Sequence, residues 1–229
     1  MILVSAGNVC VVAEKDMRQL LVFVRYILLA GLVLPPANQA AAQSHGQIAE
    51  CAGPFARTAD EAGLRKAFGS ANVTRSRIHI GEGFTEPGTV LFAKDPKRRA
   101  YVLWFDKRNR KRPAAIILPE GSDWRIRAPD DKQISLGATM AEIEQINGRP
   151  FTLYGFAWEQ GGQTSNWKGG ALDRRDDKSC ILILRFAPHP STPEAVFGQV
   201  VGDLDFGSSD PKMTAAKPFV SAITLRWPQ

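Results

Sequence analysis

Histidine and cysteine are scarce in this 229-residue chain, at three each, and long apolar runs are missing apart from one near the start. The first scarcity removes most metal and nucleophile chemistry. His45, His79 and His189 stand far apart, with no pair at metal-ligand spacing such as H-E-x-x-H, so no metal site is expected. There is no G-x-S-x-G elbow and no P-loop, and no cofactor is expected. Ser165-Asn-Trp-Lys168 and Ser209-Asp-Pro-Lys212 have the form Ser-x-x-Lys, but their Ser-Asp-Asn and Lys-Thr-Gly partners are missing and both lie in turn sequence. No motif in the chain assigns an activity.

The one apolar run has a specific setting. Arg18 and Arg25 precede Tyr26 to Leu34, followed by Pro35-Pro36 and the small-residue segment Ala37 to Ala42. Basic, greasy and small residues in that order form a secretory signal peptide, with Ala40-x-Ala42 placing cleavage before Gln43. A membrane-spanning helix needs about 20 apolar residues, more than Tyr26 to Leu34 supplies, and Arg25 cuts off Leu20 to Val24. Glu14 and Asp16 are foreign to such a leader, which makes Met17 an alternative start. Residues 1–42 are therefore expected to leave, and 43–229 to form a single exported domain, periplasmic or secreted. Without a second run of spanning length, the mature chain is expected to have no transmembrane segment.

Export changes the meaning of the cysteines. Cys10 goes with the signal, and Cys51 and Cys180 remain as a pair in an oxidising compartment, where a disulfide persists. Glu50 directly before Cys51 does not fit a lipoprotein signal, which requires a small residue there. The full chain carries a net charge of +6 and the mature part +5. Most of it is local: Lys94, Lys97, Arg98, Arg99, Lys107, Arg108, Arg110, Lys111 and Arg112 face only Asp95 and Asp106 in that stretch.

Thr58-Ala-Asp-Glu61 has the form of a capping box, with Leu64, Ala67 and Phe68 on one face behind it and Gly69 as the stop. Thr139-Met-Ala-Glu142 repeats the form, with Met140, Ile143 and Ile146 on one face, stopped by Gly148 and Pro150. After the first helix, β-branched and aromatic runs predict strands at Ile78 to Ile80, Thr89 to Phe92, Tyr101 to Phe105 and Ala114 to Leu118. After the second they fall at Thr152 to Trp158, Cys180 to Phe186 and Phe219 to Trp227. Helix, strands, helix, strands implies an α+β fold, with short helices packed on antiparallel sheet. The order is compatible with two similar helix-plus-sheet halves.

The stretch Ile134-Ser-Leu-Gly137-Ala-Thr139-Met-Ala-Glu142-Ile143, continuing to Asn147-Gly148-Arg-Pro150-Phe151, resembles the "Gly-x-Thr-x-x-Glu-Val, then Gly-x-Pro" signature of SmpA/OmlA-type envelope lipoproteins and β-lactamase-inhibitor-like proteins. The remainder is similar to exported bacterial proteins with no assigned activity. The resemblance covers about 18 residues of the chain. It implies a noncatalytic, partner-binding helix-and-sheet module and carries over no binding residue.

Two patterns are candidates for binding. Lys97, Arg98 and Arg99, with Arg108, Arg110 and Lys111, flank the apolar strand Tyr101 to Phe105 and would attract an anionic envelope component or an acidic protein surface. Export excludes nucleic acid as the partner. The competing reading is a solvated rim that keeps a sheet edge from pairing. Trp158 and Trp167, each followed by a Gly pair, would form a flat contact surface if both indoles were exposed; the large area of Trp instead favours packing at least one into the core. The expected function is therefore that of an exported envelope binding protein without catalytic activity, acting on an envelope protein or an anionic component. The alternative is an envelope hydrolase using dispersed carboxylates, namely Asp203 and Asp205 with Glu159.

Overall fold

Alternating inward and outward residues build most of this molecule into antiparallel sheet. The computed structural model describes residues 47–173 and 180–229, which lie in one unit spanning Ser44–Gln229. The expected signal peptide and its cleavage site lie outside the described residues.

The chain begins with β1 (Ile48–Ala49) and α1 (Glu61–Phe68), followed by β2 (Val73–Gly81), β3 (Phe84–Leu91), β4 (Ala100–Asp106) and β5 (Lys111–Leu118). Short strands β6 (Arg125–Arg127) and β7 (Gln133–Ser135) lead to α2 (Met140–Asn147), β8 (Thr152–Tyr154), β9 (Thr164–Asn166) and β10 (Ile181–Ala187). The end comprises α3 (Glu194–Phe197), β11 (Asp205–Gly207), α4 (Pro211–Ala215) and β12 (Phe219–Arg226). Six strands form the main sheet in the order β10-β12-β5-β4-β3-β2, every pair antiparallel. Two three-stranded sheets, β1-β6-β7 and β11-β8-β9, lie apart from it.

The fold is α+β, as the sequence pattern implies, and each half begins with a helix. In the first half, β2 to β5 follow α1 as an unbroken meander. In the second, β8 and β9 follow α2, a single antiparallel bridge from Gln163 to Arg185 links this hairpin to β10, and β10 pairs with β12. The last strands of the halves, β5 and β12, pair with each other. Residues 188–218, with α3, β11 and α4, are inserted before the final strand of the second half.

Helix α2 starts as expected. The Thr139 hydroxyl accepts from the Glu142 amide at 3.3 Å, the Glu142 carboxylate accepts from the Thr139 amide at 2.7 Å, and Gly148 closes the helix at φ +76°. Helix α1 differs from the expectation. Asp60, not Thr58, is its cap, accepting from the Gly63 amide at 2.8 Å, which makes Glu61 the first helical residue. The box at Thr58 does not form because the Glu61 carboxylate turns inward to the sheet. There it accepts from Arg75 Nε at 2.8 Å and from Thr89 Oγ1 at 3.0 Å, and lies 3.4 Å from Arg110 Nε. The buried Trp104 indole in turn donates to Thr89 Oγ1 at 3.0 Å. One carboxylate thus fastens the start of α1 to β2, β3 and the tip of the β4–β5 hairpin.

One face of the main sheet carries the core. Ala100, Val102 and Trp104 on β4, Ile116 and Leu118 on β5, Ile223 and Leu225 on β12, and Leu182 and Leu184 on β10 are buried against Leu64 of α1 and Ile143 of α2. Each large side chain so buried contributes about 1.5 to 3 kcal/mol. The strand expected over Thr152 to Trp158 stops at Tyr154, because the next residues leave the sheet: Phe156 forms one parallel bridge with Val201 and Ala157 takes φ +66°. Cys51 and Cys180 form the expected disulfide, with Cα atoms 6.0 Å apart and a sequence separation of 129. No described helix is long and apolar enough to cross a membrane.

Closing so long a loop stabilises the fold by about 5 kcal/mol in the chain-entropy account. Replacing both Cys51 and Cys180 with Ser should therefore lower the urea-unfolding free energy by about 2 to 5 kcal/mol, and an unchanged midpoint would refute this. A second expectation concerns Glu61. Burial raises its pKa, but hydrogen bonds from Arg75 and Thr89 and the nearby charges of Arg75 and Arg65 outweigh it, leaving it below the usual 4.5. Because the folded value is lowered, its stabilisation is fully present above pH 4.5 and is lost as pH falls through the folded value. Glu61→Gln should cost on the order of 3 kcal/mol at neutral pH, and denaturation curves of the two proteins should converge on acidification below pH 4.5.

Candidate binding cleft

The sheet face opposite the core is also apolar. Register places Ile181, Arg226, Ala115, Leu103 and Gly88 in one row across five strands, and Ile183, Thr224, Ile117, Tyr101 and Val90 in the next. Directly opposed residues share a face, so both rows point away from Val102, Ile116, Ile223 and Leu182. Strand β10 shows the pattern plainly: Leu182, Leu184 and Phe186 are buried in the core, whereas Ile181, Ile183 and Arg185 are half-buried on the other side. Solvent on this face does not require isoleucine, and its presence marks a surface with a use.

The sheet curls around this face. At one edge the β2–β3 hairpin turns at Gly81 (φ +120°), beside a register shift between His79 and Gly81. The Glu82 amide then donates to Glu159 Oε2 at 3.1 Å. Glu159 belongs to the loop between β8 and β9, and its backbone carbonyl accepts a hydrogen bond from the Arg185 guanidinium of β10, the opposite edge strand. Edge thus meets edge through one residue, Glu159, by its carboxylate on one side and its backbone carbonyl on the other. A β-carbon on Gly81 would collide with the Glu159 carboxylate, so glycine is required both for its φ and for the space. The curl leaves a 740 Å³ cavity lined by Leu103, Ile117, Ile183, Thr224, Arg226 and Trp158, among others.

The polar groups of the cleft are few. Arg185 is held by the Glu159 carbonyl. Arg226, exposed on the floor, adjoins this cavity and the two beside it. Every other described arginine except Arg108 has a hydrogen bond, ion pair or ring contact; the Arg226 guanidinium has none among the described residues. At the mouth, Ile80 and Phe84 of the hairpin are 47% and 66% exposed, extending the apolar surface outward.

The basic residues anticipated from the sequence lie elsewhere. Lys97, Arg98 and Arg99 sit at the start of β4, and Arg108, Arg110 and Lys111 at its other end, about 20 Å away along a seven-residue strand. They do not form one surface. The first cluster is fixed by the segment 122–124, whose Ser122 hydroxyl, Asp123 amide and Trp124 indole donate to the carbonyls of Arg99, Lys97 and Arg98. Within it, Lys97 pairs with Asp123 at 3.3 Å, Arg98 pairs with Asp95 at 2.7 Å and stacks on Phe92, and Arg99 donates to the Ala93 carbonyl. In the second, Asp106 accepts from the Asn109 amide and side chain, closing the hairpin, while Lys107 meets Glu86 at 3.0 Å and Arg110 turns in to Glu61. The clusters thus flank the strand, as the sequence order implies; carboxylates engage several of the cations, and the sheet holds the clusters apart.

Of the two indoles, one packs into the core, as the large area of Trp favours, so they do not form a joint surface. Trp167 is buried, packs 5.0 Å from Phe151 and donates to the Leu182 carbonyl, because burying its ring completes the core between β9 and β10. Trp158 is half-buried at the cleft, with its indole donating to the Gly155 carbonyl at 2.9 Å and its ring edge-on to Tyr154. Among the dispersed carboxylates, Glu159 is engaged by the Glu82 amide, and neither Asp203 nor Asp205 lines the cleft. No group of three metal-ligating side chains occurs among the described residues.

Leu103, Ile117, Ile183, Thr224 and Arg226 were not anticipated as site residues. A signal for them exists in the sequence: the strands around Tyr101 to Phe105, Ala114 to Leu118 and Ile181 to Phe186 are apolar at nearly every position, so both faces are apolar rather than one. Comparison of the chain with family models, with curated proteins and with solved structures finds no match.

The edge-to-edge bond makes a direct prediction. Gly81→Ala should displace Glu159 and release the Glu82 amide, seen as faster hydrogen exchange at residues 80–84, while the core strands stay protected. Unchanged exchange at the hairpin tip would mean that the curl does not depend on this contact.

Proposed function

We propose that this chain is an exported, noncatalytic binding protein of the cell envelope that seats its partner in the cleft of the curled sheet. The observation that carries the reading is the second apolar face of the main sheet, where Leu103, Ile117 and Ile183 line a 740 Å³ cavity instead of facing bulk water. That size falls within the range of about 300 to 1,000 Å³ typical of small-ligand sites. The long-range disulfide is consistent with an oxidising compartment, and among the described residues no carboxylates converge at the cleft, which favours binding over hydrolysis. The basic clusters at the two ends of β4 serve in this reading as a solvated rim.

The test is photocrosslinking in cells. A photoreactive residue placed at Ile117, on the cleft floor, should give an adduct detectable by intact mass, and the same residue at Lys66, exposed on α1, should not. Equal labelling at both positions, or none at Ile117, would overturn the proposal.

A further inference from the structure

Resting on that reading, we infer that the cleft binds a free amphipathic carboxylate, its acid group on Arg226 and its apolar body over Leu103, Ile117 and Ile183. Three observations converge on this class. The floor carries apolar side chains from three strands, Ile183 of β10, Ala115 and Ile117 of β5 and Leu103 of β4, and a purely polar acid would leave them wet. Arg226 rises from the same floor with no partner among the described residues, and a guanidinium offers a carboxylate two parallel hydrogen bonds. Thr224 stands two residues earlier on the same strand and face, beside Ile117 and Ile183, and its hydroxyl has no hydrogen-bond partner among the described residues.

Charge excludes the opposite ligand. Among the described residues, Arg185 and Arg226 line the cleft against the Glu159 carboxylate, and Glu86 at the neighbouring cavity is paired with Lys107. A cationic amphiphile would meet net positive charge. Geometry separates a free molecule from a membrane surface. The hairpin tip at Ile80 and Gly81 and the loop at Ala157 to Glu159 line the cleft together with the sheet, and a concave site of this kind suits a single molecule better than a flat bilayer.

Calorimetric titration of the oxidised chain with laurate, lauryl alcohol, dodecyltrimethylammonium and phosphatidylglycerol vesicles tests the inference. Laurate should bind saturably, the alcohol and the ammonium at least about tenfold more weakly, as expected for loss of a charge-assisted hydrogen bond, and the vesicles not at all. Arg226→Gln should lose at least about tenfold in laurate affinity with an unchanged melting temperature, and Arg226→Lys should recover part of it. Ala222→Trp, which fills the cleft and keeps Arg226, should abolish binding. Absence of laurate binding, equal affinity for laurate and its alcohol, undiminished binding by Arg226→Gln, or binding to vesicles would each overturn it. An adduct at Ile117 with no laurate binding would remove this ligand class while leaving the binding function standing.

Discussion

Strand β12 returns from the far end of the chain to lie antiparallel against β5, with Ile223 opposite Leu118 and Leu225 opposite Ile116. This seam joins β10 and β12 of the second half to the β2–β5 meander of the first in one sheet. On its inner side it completes the core shared by α1 and α2; on its outer side it sets Arg226 beside Ala115 and Thr224 beside Ile117. Without the pairing, β10 and β12 would form a two-stranded ribbon, which is marginally stable alone, and the cleft would lose half its floor. The disulfide reinforces the same arrangement by tying Cys51, near the start of the domain, to Cys180 at the head of β10.

Charge within the fold is placed where it fastens elements. Glu61 is the clearest case, a buried carboxylate that draws Arg75 of β2 and Arg110 of the β4–β5 hairpin tip to the first turn of α1. Its position explains why the basic hairpin tip is not a free electrostatic surface: Arg110 is committed inward, and the Glu61 amide donates to the Arg110 carbonyl as well. Arg226 is treated differently. It has no partner among the described residues and stands beside an apolar floor, where its guanidinium gains most from an incoming anion.

The cleft differs from the core in rigidity. The core is held by interdigitated aromatic rings, with Phe55, Phe68 and Trp124 within 6 Å of one another. The curl over the cleft depends at its rim on one amide-to-carboxylate bond from Glu82 to Glu159 and on a glycine that permits it. Regions with few buried contacts open at low free energy. The entrance is therefore the part of the fold best placed to move when a ligand enters.

Much of this was legible in residues alone. The capping box at Thr139 and Glu142, the strand segments of the main sheet and the pairing of Cys51 with Cys180 follow from local hydrogen-bond chemistry, alternation and cysteine arithmetic, which act over a few residues or on the composition of the whole chain. The site was not legible in the same way. Arg98 and Arg108 stood out because charge runs are visible in sequence, yet a strand's length separates them; Trp167 stood out as an aromatic, yet the core claimed it. Leu103, Ile183 and Arg226 share a cleft only because strands from both halves pair in one register and the sheet then coils. Sequence determined the two longer helices, most strands of the main sheet and that both faces of its central strands are apolar; the short elements β1, β6, β7, β9, β11, α3 and α4 carry too few residues for a local pattern. Only tertiary structure decided which apolar face is filled and which stays open, since that depends on where two short helices pack and on long-range pairing that no local pattern encodes.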